Sequence, residues 1–316
     1  IINSLNTNNW PGENNPVNPT FMVMGGDLTQ WGGGWSTGAN VAEWADSDWD
    51  RGSLFSYFTK YFDQNRSNES INLPMYVGMG NHDLNHTYSN KLYPDALNRR
   101  MRKYVRVKHQ GNNAEVKVGS YDDASGSFSW VIDGVHFMQF HRFGGDNLKN
   151  MRQDNQSRPN QFYLTEDYQE PNNSLDWIQT DLLKHNDKPT LVFQHYDWHS
   201  PDNQSVGGTT YYSWWTPAEM NALDVALVQA NKKIIRFHGH THSQHTYIYR
   251  DQMNNAHQVF DTGTASPFHG VTDRINFLVV RVSTDKKSLD VLNANVDVTD
   301  VNNVRLNLGQ KRTVSL

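Results

Sequence analysis

Short apolar runs of strand length, each ending at a glycine or a polar residue, dominate this chain. Four stand out: Phe21-Met22-Val23-Met24, Met75 to Met79, Leu191-Val192-Phe193-Gln194 and Lys233 to Phe237. Runs this short, bounded by turn signals, read as strands. Two of them follow a helical pattern. Ser174 opens an amphipathic stretch with Leu175, Ile178, Leu182 and Leu183 on one face, stopping before Pro189. Thr216-Pro217-Ala218-Glu219 has the capping-box form with proline at the first helical position, and predicts a helix to about Gln229. Each helix leads into the next apolar run, so both are β-α-β steps. A third helical pattern runs from Asp50 to Phe62, and Ile1 to Asn6 reads as the tail of a helix. Ser127 to Ile132 and Val135 to Phe140 alternate apolar and polar residues around Asp133-Gly134, which predicts a hairpin. After His242 the pattern changes to short antiparallel strands: Thr246 to Tyr249, Gln258 to Asp261, Phe277 to Val282 and Leu289 to Asn293.

Composition narrows the class. A chain of 316 residues with 36% hydrophobic content can bury one substantial core, and no linker or repeat divides it, so a single domain over 1–316 is expected. The net charge of -5 comes from interspersed charges and offers no basic stripe for a polynucleotide. No apolar run has the length of a membrane span. With no cysteine, thiol chemistry and disulfides are excluded, and His, Asp and Asn are left as metal donors, a set that suits Zn, Mn or Fe. Abundant asparagine and ten tryptophans on a polar background point to an exported bacterial protein, secreted or periplasmic.

The chemistry lies where the runs end. Phe21 to Met24 meets Gly25-Gly26-Asp27; Met75 to Met79 meets Gly80-Asn81-His82-Asp83; Leu191 to Gln194 delivers His195; the fourth run meets Gly239-His240-Thr241-His242. Open α/β sheets place their ligand sites at the carboxyl ends of strands, so these four ends are expected to converge. Gly239 is expected to remove side-chain bulk where backbone approaches something closely.

This ordered set of G-D, G-N-H-D, a lone H and G-H-T-H resembles the calcineurin-like metallophosphoesterase superfamily across about residues 20 to 265. The resemblance implies a four-layer α/β/β/α sandwich with mixed sheets. It implies Asp27 as a ligand bridging two cations, with Asn81, His195 and His240 completing one metal position and His242 facing the other. His82 corresponds to the superfamily's non-ligand histidine, which protonates the leaving group, and Asp83 would orient it. The superfamily's first motif, D-x-H, is absent, so the second cation keeps only Asp27 and His242. A strand preceding Ile1 is therefore expected, with the second metal held weakly. Gln30 stands where purple acid phosphatases carry their iron-binding tyrosine, which removes that branch.

The pocket wall is expected to draw on His141, Arg142, Tyr196 and His199, together with the loop of Trp31 and Trp35. His86, His109, His136, His185, His245, His257 and His269 belong to no motif and are expected to be structural. The function implied is metal-dependent hydrolysis of a phosphate mono- or diester by activated water, on a small molecule or a lipid head group. A second class is a binding or toxin component that keeps the fold without turnover. A carbohydrate-binding module would explain the tryptophans but not the G-N-H-D and G-H-T-H motifs.

Overall fold

The computed structural model describes residues 2–28, 54–63, 68, 70–80, 83, 94–145, 174–198, 203–206, 209–212, 217–230, 234–251, 253–263, 274–297 and 304–316. Strands β1 (Met22–Met24) and β2 (Met75–Val77) pair in parallel. A seven-stranded mixed sheet contains β3 (Ser120–Tyr121), β4 (Phe128–Ile132), β5 (Val135–Gln139), β6 (Thr190–Phe193), β9 (Ile234–His238), β10 (Thr246–Arg250) and β11 (Ala256–Asp261). Its order is β10-β11-β9-β6-β5-β4-β3, with parallel pairing from β5 through β6 and β9 to β11. Antiparallel β12 (Arg274–Val282), β13 (Ser288–Asp297) and β14 (Arg305–Ser315) form a third sheet, and β7 (Asn203–Val206) with β8 (Thr209–Tyr212) a small hairpin.

The large sheet is covered on both faces, which is why its central strands are apolar at successive positions rather than alternating. Met138, Val192, Ile234 and Val259 pack on helices α3 (Leu175–Lys184) and α4 (Pro217–Gln229) through Ile178, Leu182, Leu223 and Leu227. Their neighbours Phe137, Leu191, Ile235 and Phe260 point the other way, into a core shared with β1, β2, α1 (Leu54–Phe62), α2 (Pro94–His109) and the face of β13 that carries Leu289 and Val291. The alternation of side-chain direction along each strand thus builds two cores from one sheet. Helices, a large mixed sheet, the smaller sheets and a second pair of helices give the α/β/β/α arrangement expected. The amino-terminal stretch closes a third cluster, Leu5, Trp10 and Val17 against Val279, Leu292 and Ala294. That stretch is a 3-10 helix over Ile2–Thr7 rather than the tail of an α-helix.

Helix α2 escaped the sequence pattern for a physical reason. Its buried positions Met101, Tyr104, Val105, Lys108 and His109 follow the i, i+3, i+4, i+7, i+8 spacing of one helical face, but two of the five are not apolar. Lys108 is satisfied by Asp63 at 2.8 Å and Glu115 at 3.1 Å. In α3 the expected face is corrected at one position: Leu183 is 48% exposed, while Ile178 and Leu182 carry the packing. Ser174 caps nothing in its own helix and accepts instead from the Gly145 N–H at 3.1 Å. Among the described residues no helix is long and apolar enough to cross a membrane.

Candidate metal centre

Strands β1, β2, β6 and β9 all deliver their carboxyl ends to one place, and hydrogen bonds carry the alignment beyond the strands. The His195 N–H donates to the His141 carbonyl at 2.6 Å, and the Gly239 N–H donates to the His195 carbonyl at 3.1 Å. The backbone there is strained. Among the described residues, Asp27, His141, His240 and His242 are non-glycine residues held at φ of 53°, 57°, 68° and 59°. Such left-handed conformations cost free energy and persist where the surroundings over-determine them, often at functional sites. Glycines make the approach possible. A Cβ on Gly80 would sit 2.2 Å from Asp27 Oδ1, and one on Gly26, at φ 115°, would lie 2.8 Å from His195 Nδ1. Gly239 needs no such explanation, because a Cβ there would meet nothing nearer than 3.7 Å, contrary to the expectation from the motif.

Asp27, His195 and His240 come together. Asp27 Oδ2 lies 3.1 Å from His195 Nε2, and His240 Nδ1 lies 3.0 Å from the same nitrogen. One donor atom from each of the three falls within 4.8 Å of the others. His195 Nδ1 sits 3.1 Å from the Gly25 carbonyl and donates to it, which leaves Nε2 with its lone pair turned towards Asp27 and His240. A ring nitrogen pinned to a carbonyl while the other faces a carboxylate and a second imidazole is the arrangement of metal-ligating histidine. The donor set therefore fits a divalent cation. His242 lines the same cavity as the three but is outside their cluster. Asp83 Oδ2 accepts from the Gly80 N–H at 2.9 Å and the Leu28 N–H at 3.1 Å, tying the loop of β2 to the loop that carries Asp27. Asn81, His82, His199, Gln30, Trp31 and Trp35 lie outside the described residues.

Three residues expected in the pocket wall are buried instead. His141 is fully enclosed: its Nδ1 accepts from the Met79 N–H at 3.1 Å and its Nε2 donates to the Gly126 carbonyl at 2.6 Å. Burial lowers its pKa to about 4 and keeps the ring neutral. Arg142 is 1% exposed and has its guanidinium 5.8 Å from the Phe143 ring centroid. Tyr196, 2% exposed, packs edge-on against His240 with ring centroids 4.9 Å apart.

Sequence reasoning passed over His238, one residue before Gly239. It is buried, its Nδ1 is 3.1 Å from the Gly239 carbonyl, and its Nε2 is 3.4 Å from Asp197. Burial lowers its pKa to about 4. With His245 and Asp261 it forms a second group of donors within 4.8 Å. Asp261 is buried, which raises its pKa to about 8, and it contacts Thr241 through Oδ2 while accepting from the Gly263 N–H at 3.0 Å. The signal available was the HGHTH string itself. His136 and Asp181, 2.8 Å apart, form a third group with His185 beneath α3.

A mixed α/β fold that gathers a carboxylate and two imidazoles at the carboxyl ends of three strands has the donors to hold a divalent cation. The chain belongs to the calcineurin-like phosphoesterase family, whose pattern it matches over residues 6–244. Its fold is similar to that of the solved structure described as "Structure of PhoD", with a TM-score of 0.50 and 10% identity. That likeness covers 83% of this chain and 56% of the other, so this chain spans little more than half of that protein's length. Comparison of the sequence alone with curated proteins gives no match.

Proposed function

We propose that this chain hydrolyses a phosphate mono- or diester, on a small molecule or a lipid head group, through a cation held by Asp27, His195 and His240 with Asn81 as a further oxygen donor. The observation that carries the reading is the convergence of three donors, 213 residues apart at the extremes, within 4.8 Å of one another. A bound divalent cation supplies Lewis-acid charge at a phosphoryl oxygen and lowers the pKa of a coordinated water from 15.7 to about 7. The residues of the chain do the rest. Asp27 brings the negative charge that holds a cation, and the Gly25 carbonyl keeps His195 in the ligating tautomer. Asp83 fixes the two loops to each other. His82, which follows β2 in the sequence, donates a proton to the departing oxygen. His242 shares a second, weaker cation position with Asp27.

The test is a metal titration of chelator-treated chain against p-nitrophenyl phosphate and bis-p-nitrophenyl phosphate, with His195→Ala in parallel. Hydrolysis should appear with Mn²⁺, Zn²⁺ or Co²⁺ and vanish in the variant. A rate that ignores added metal, or a His195→Ala chain as active as the parent, overturns the proposal.

A further inference from the structure

The third group of donors, His136, Asp181 and His185, stands at the opposite end of the large sheet from Asp27. His136 is the second residue of β5 and pairs in register with Thr190, the first of β6, whereas His195 follows the end of β6. At a rise of about 3.3 Å per residue, the two groups are roughly 15 Å apart along the strand direction. His136 shares its side of the sheet with Met138, the side that α3 covers. Asp181 and His185 stand one turn apart at the carboxyl end of that helix, where the His185 N–H donates to the Asp181 carbonyl at 3.2 Å, so they share one helix face. A strand and a helix end thus bring the three together on rigid elements, with one donor atom of each within 4.8 Å of the others.

Neighbouring groups orient the donors. The Thr190 hydroxyl donates to the Lys188 carbonyl at 3.4 Å and lies 3.2 Å from His136 Nδ1, so it accepts the proton of that nitrogen. Nε2 is left to face Asp181 Oδ2 at 2.8 Å. A ligating histidine is held in this way by a partner on its far nitrogen. Burial works against the ionised form of Asp181, yet hydrogen bonds with His136 and Ser129 hold its pKa below the usual carboxylate value. The His185 ring centroid lies 4.5 Å from that of His136, with the planes tilted by 37°. Burial, and then the charge of a protonated His136, lower the pKa of His185, so its imidazole is neutral and offers a lone pair.

A proton between His136 and Asp181 satisfies that pair but sets a cation against the His185 ring. A divalent cation among the three satisfies them all and displaces the proton, as metal binding to such ligands does. Lys184 and Lys188 bear on His185 more weakly than burial and His136, and Lys188 is held by Asp187 at 2.8 Å. His136 and Asp181 are buried while His185 is half-buried, which leaves one side open to an ion and a water. Two imidazoles and a carboxylate with room for a water suit zinc. We propose that His136, Asp181 and His185 bind a divalent cation of the zinc type, separate from the Asp27 centre, which pins the end of α3 to the starts of β5 and β6.

The test starts from the whole chain carrying His195→Ala and His240→Ala, whose first centre has lost two of its three clustered donors. Zinc titrated against a chromophoric chelator should load one ion per chain. Adding His185→Ala should weaken that binding by about 10–100-fold or more, since losing a ligand costs at least what losing a ligand's partner does. In the parent chain, zinc should slow the labelling of His185 by diethyl pyrocarbonate, read by mass spectrometry of peptides, because the reagent attacks the lone pair that the metal takes. No zinc in the double variant, equal affinity after His185→Ala, or labelling of His185 that zinc leaves unchanged overturns the proposal. The labelling needs no substitution, so it decides even where a variant fails to fold. No activity is read, and failure here leaves the Asp27 site untouched.

Discussion

A Cβ on Gly26 would lie 2.6 Å from the backbone nitrogen of Gly80, so the loop that presents Asp27 and the loop that leads to Asn81 meet glycine to glycine. Neither residue tolerates a side chain, and the φ of 115° at Gly26 adds strain for any replacement.

Gly26→Ala should therefore reduce stability by about 2 kcal/mol or more and weaken metal binding at least tenfold. Gly239→Ala, with nothing within 3.7 Å of the added carbon, should change both little. Urea unfolding and competitive chelator titration of the two variants check this. Equal behaviour would show that the contact between the loops does not set the site.

Acid should weaken the fold through two neutral histidines. The Val77 N–H donates to His109 Nε2 at 3.0 Å, and the Met79 N–H donates to His141 Nδ1 at 3.1 Å. Burial lowers their pKa values to about 3 and about 4, so in the fold both rings stay neutral where an unfolded histidine takes up a proton. The unfolded chain then binds more protons below pH about 6.5, and stability falls as pH drops from there towards 4, by up to about 1.4 kcal/mol per pH unit for each ring. His109→Gln keeps an acceptor and cannot titrate. It should be less stable at pH 8 by about 1–3 kcal/mol yet show a shallower loss between pH 6.5 and 4. Urea midpoints across that range decide, and an unchanged slope would refute the assignment to His109.

A buried cation holds β9 to α4. The Arg236 guanidinium lies 4.3 Å from the Trp198 ring centroid and 4.5 Å from that of Tyr249, with Asp224 at 3.5 Å. Removing only the carboxylate leaves a charge without compensation, so Asp224→Ala should cost about 3–5 kcal/mol. The double variant Asp224→Leu with Arg236→Met should cost less than that single change. Thermal unfolding of the set gives the coupling, and additive losses would mean that the two side chains act independently.

His82→Ala should lower turnover about 10²–10⁴-fold, the usual contribution of general acid catalysis, while leaving metal content intact. His240→Ala should lose metal. Elemental analysis beside kcat separates the two roles, and a His82→Ala chain stripped of metal as fully as His240→Ala would reverse the assignment.

The strand ends and their motifs were legible in the sequence because each is a local word: an apolar run followed by glycine and a donor needs nothing beyond its own few residues. The Asp133-Gly134 hairpin was legible for the same reason, its register following from the turn. Helix α2 was not, because Lys108 and His109 occupy core positions that only Asp63, Glu115 and the Val77 N–H make acceptable. The resemblance set His195, whose lone pair faces Asp27, among the ligands, but the sequence also put His141 in the pocket wall, although its two nitrogens are spent on backbone groups. Both follow apolar runs, and what separates them is the neighbour each strand end acquires. His238 was lost among the other histidines until folding set it beside Asp197 and Asp261. Short-range pattern marked the strands that carry the donors and where the donors stand on them, while β3, β7, β8 and β14 carried no such signal. Only the tertiary structure decided which donors face one another, because partners in space are set by packing between elements far apart in the chain.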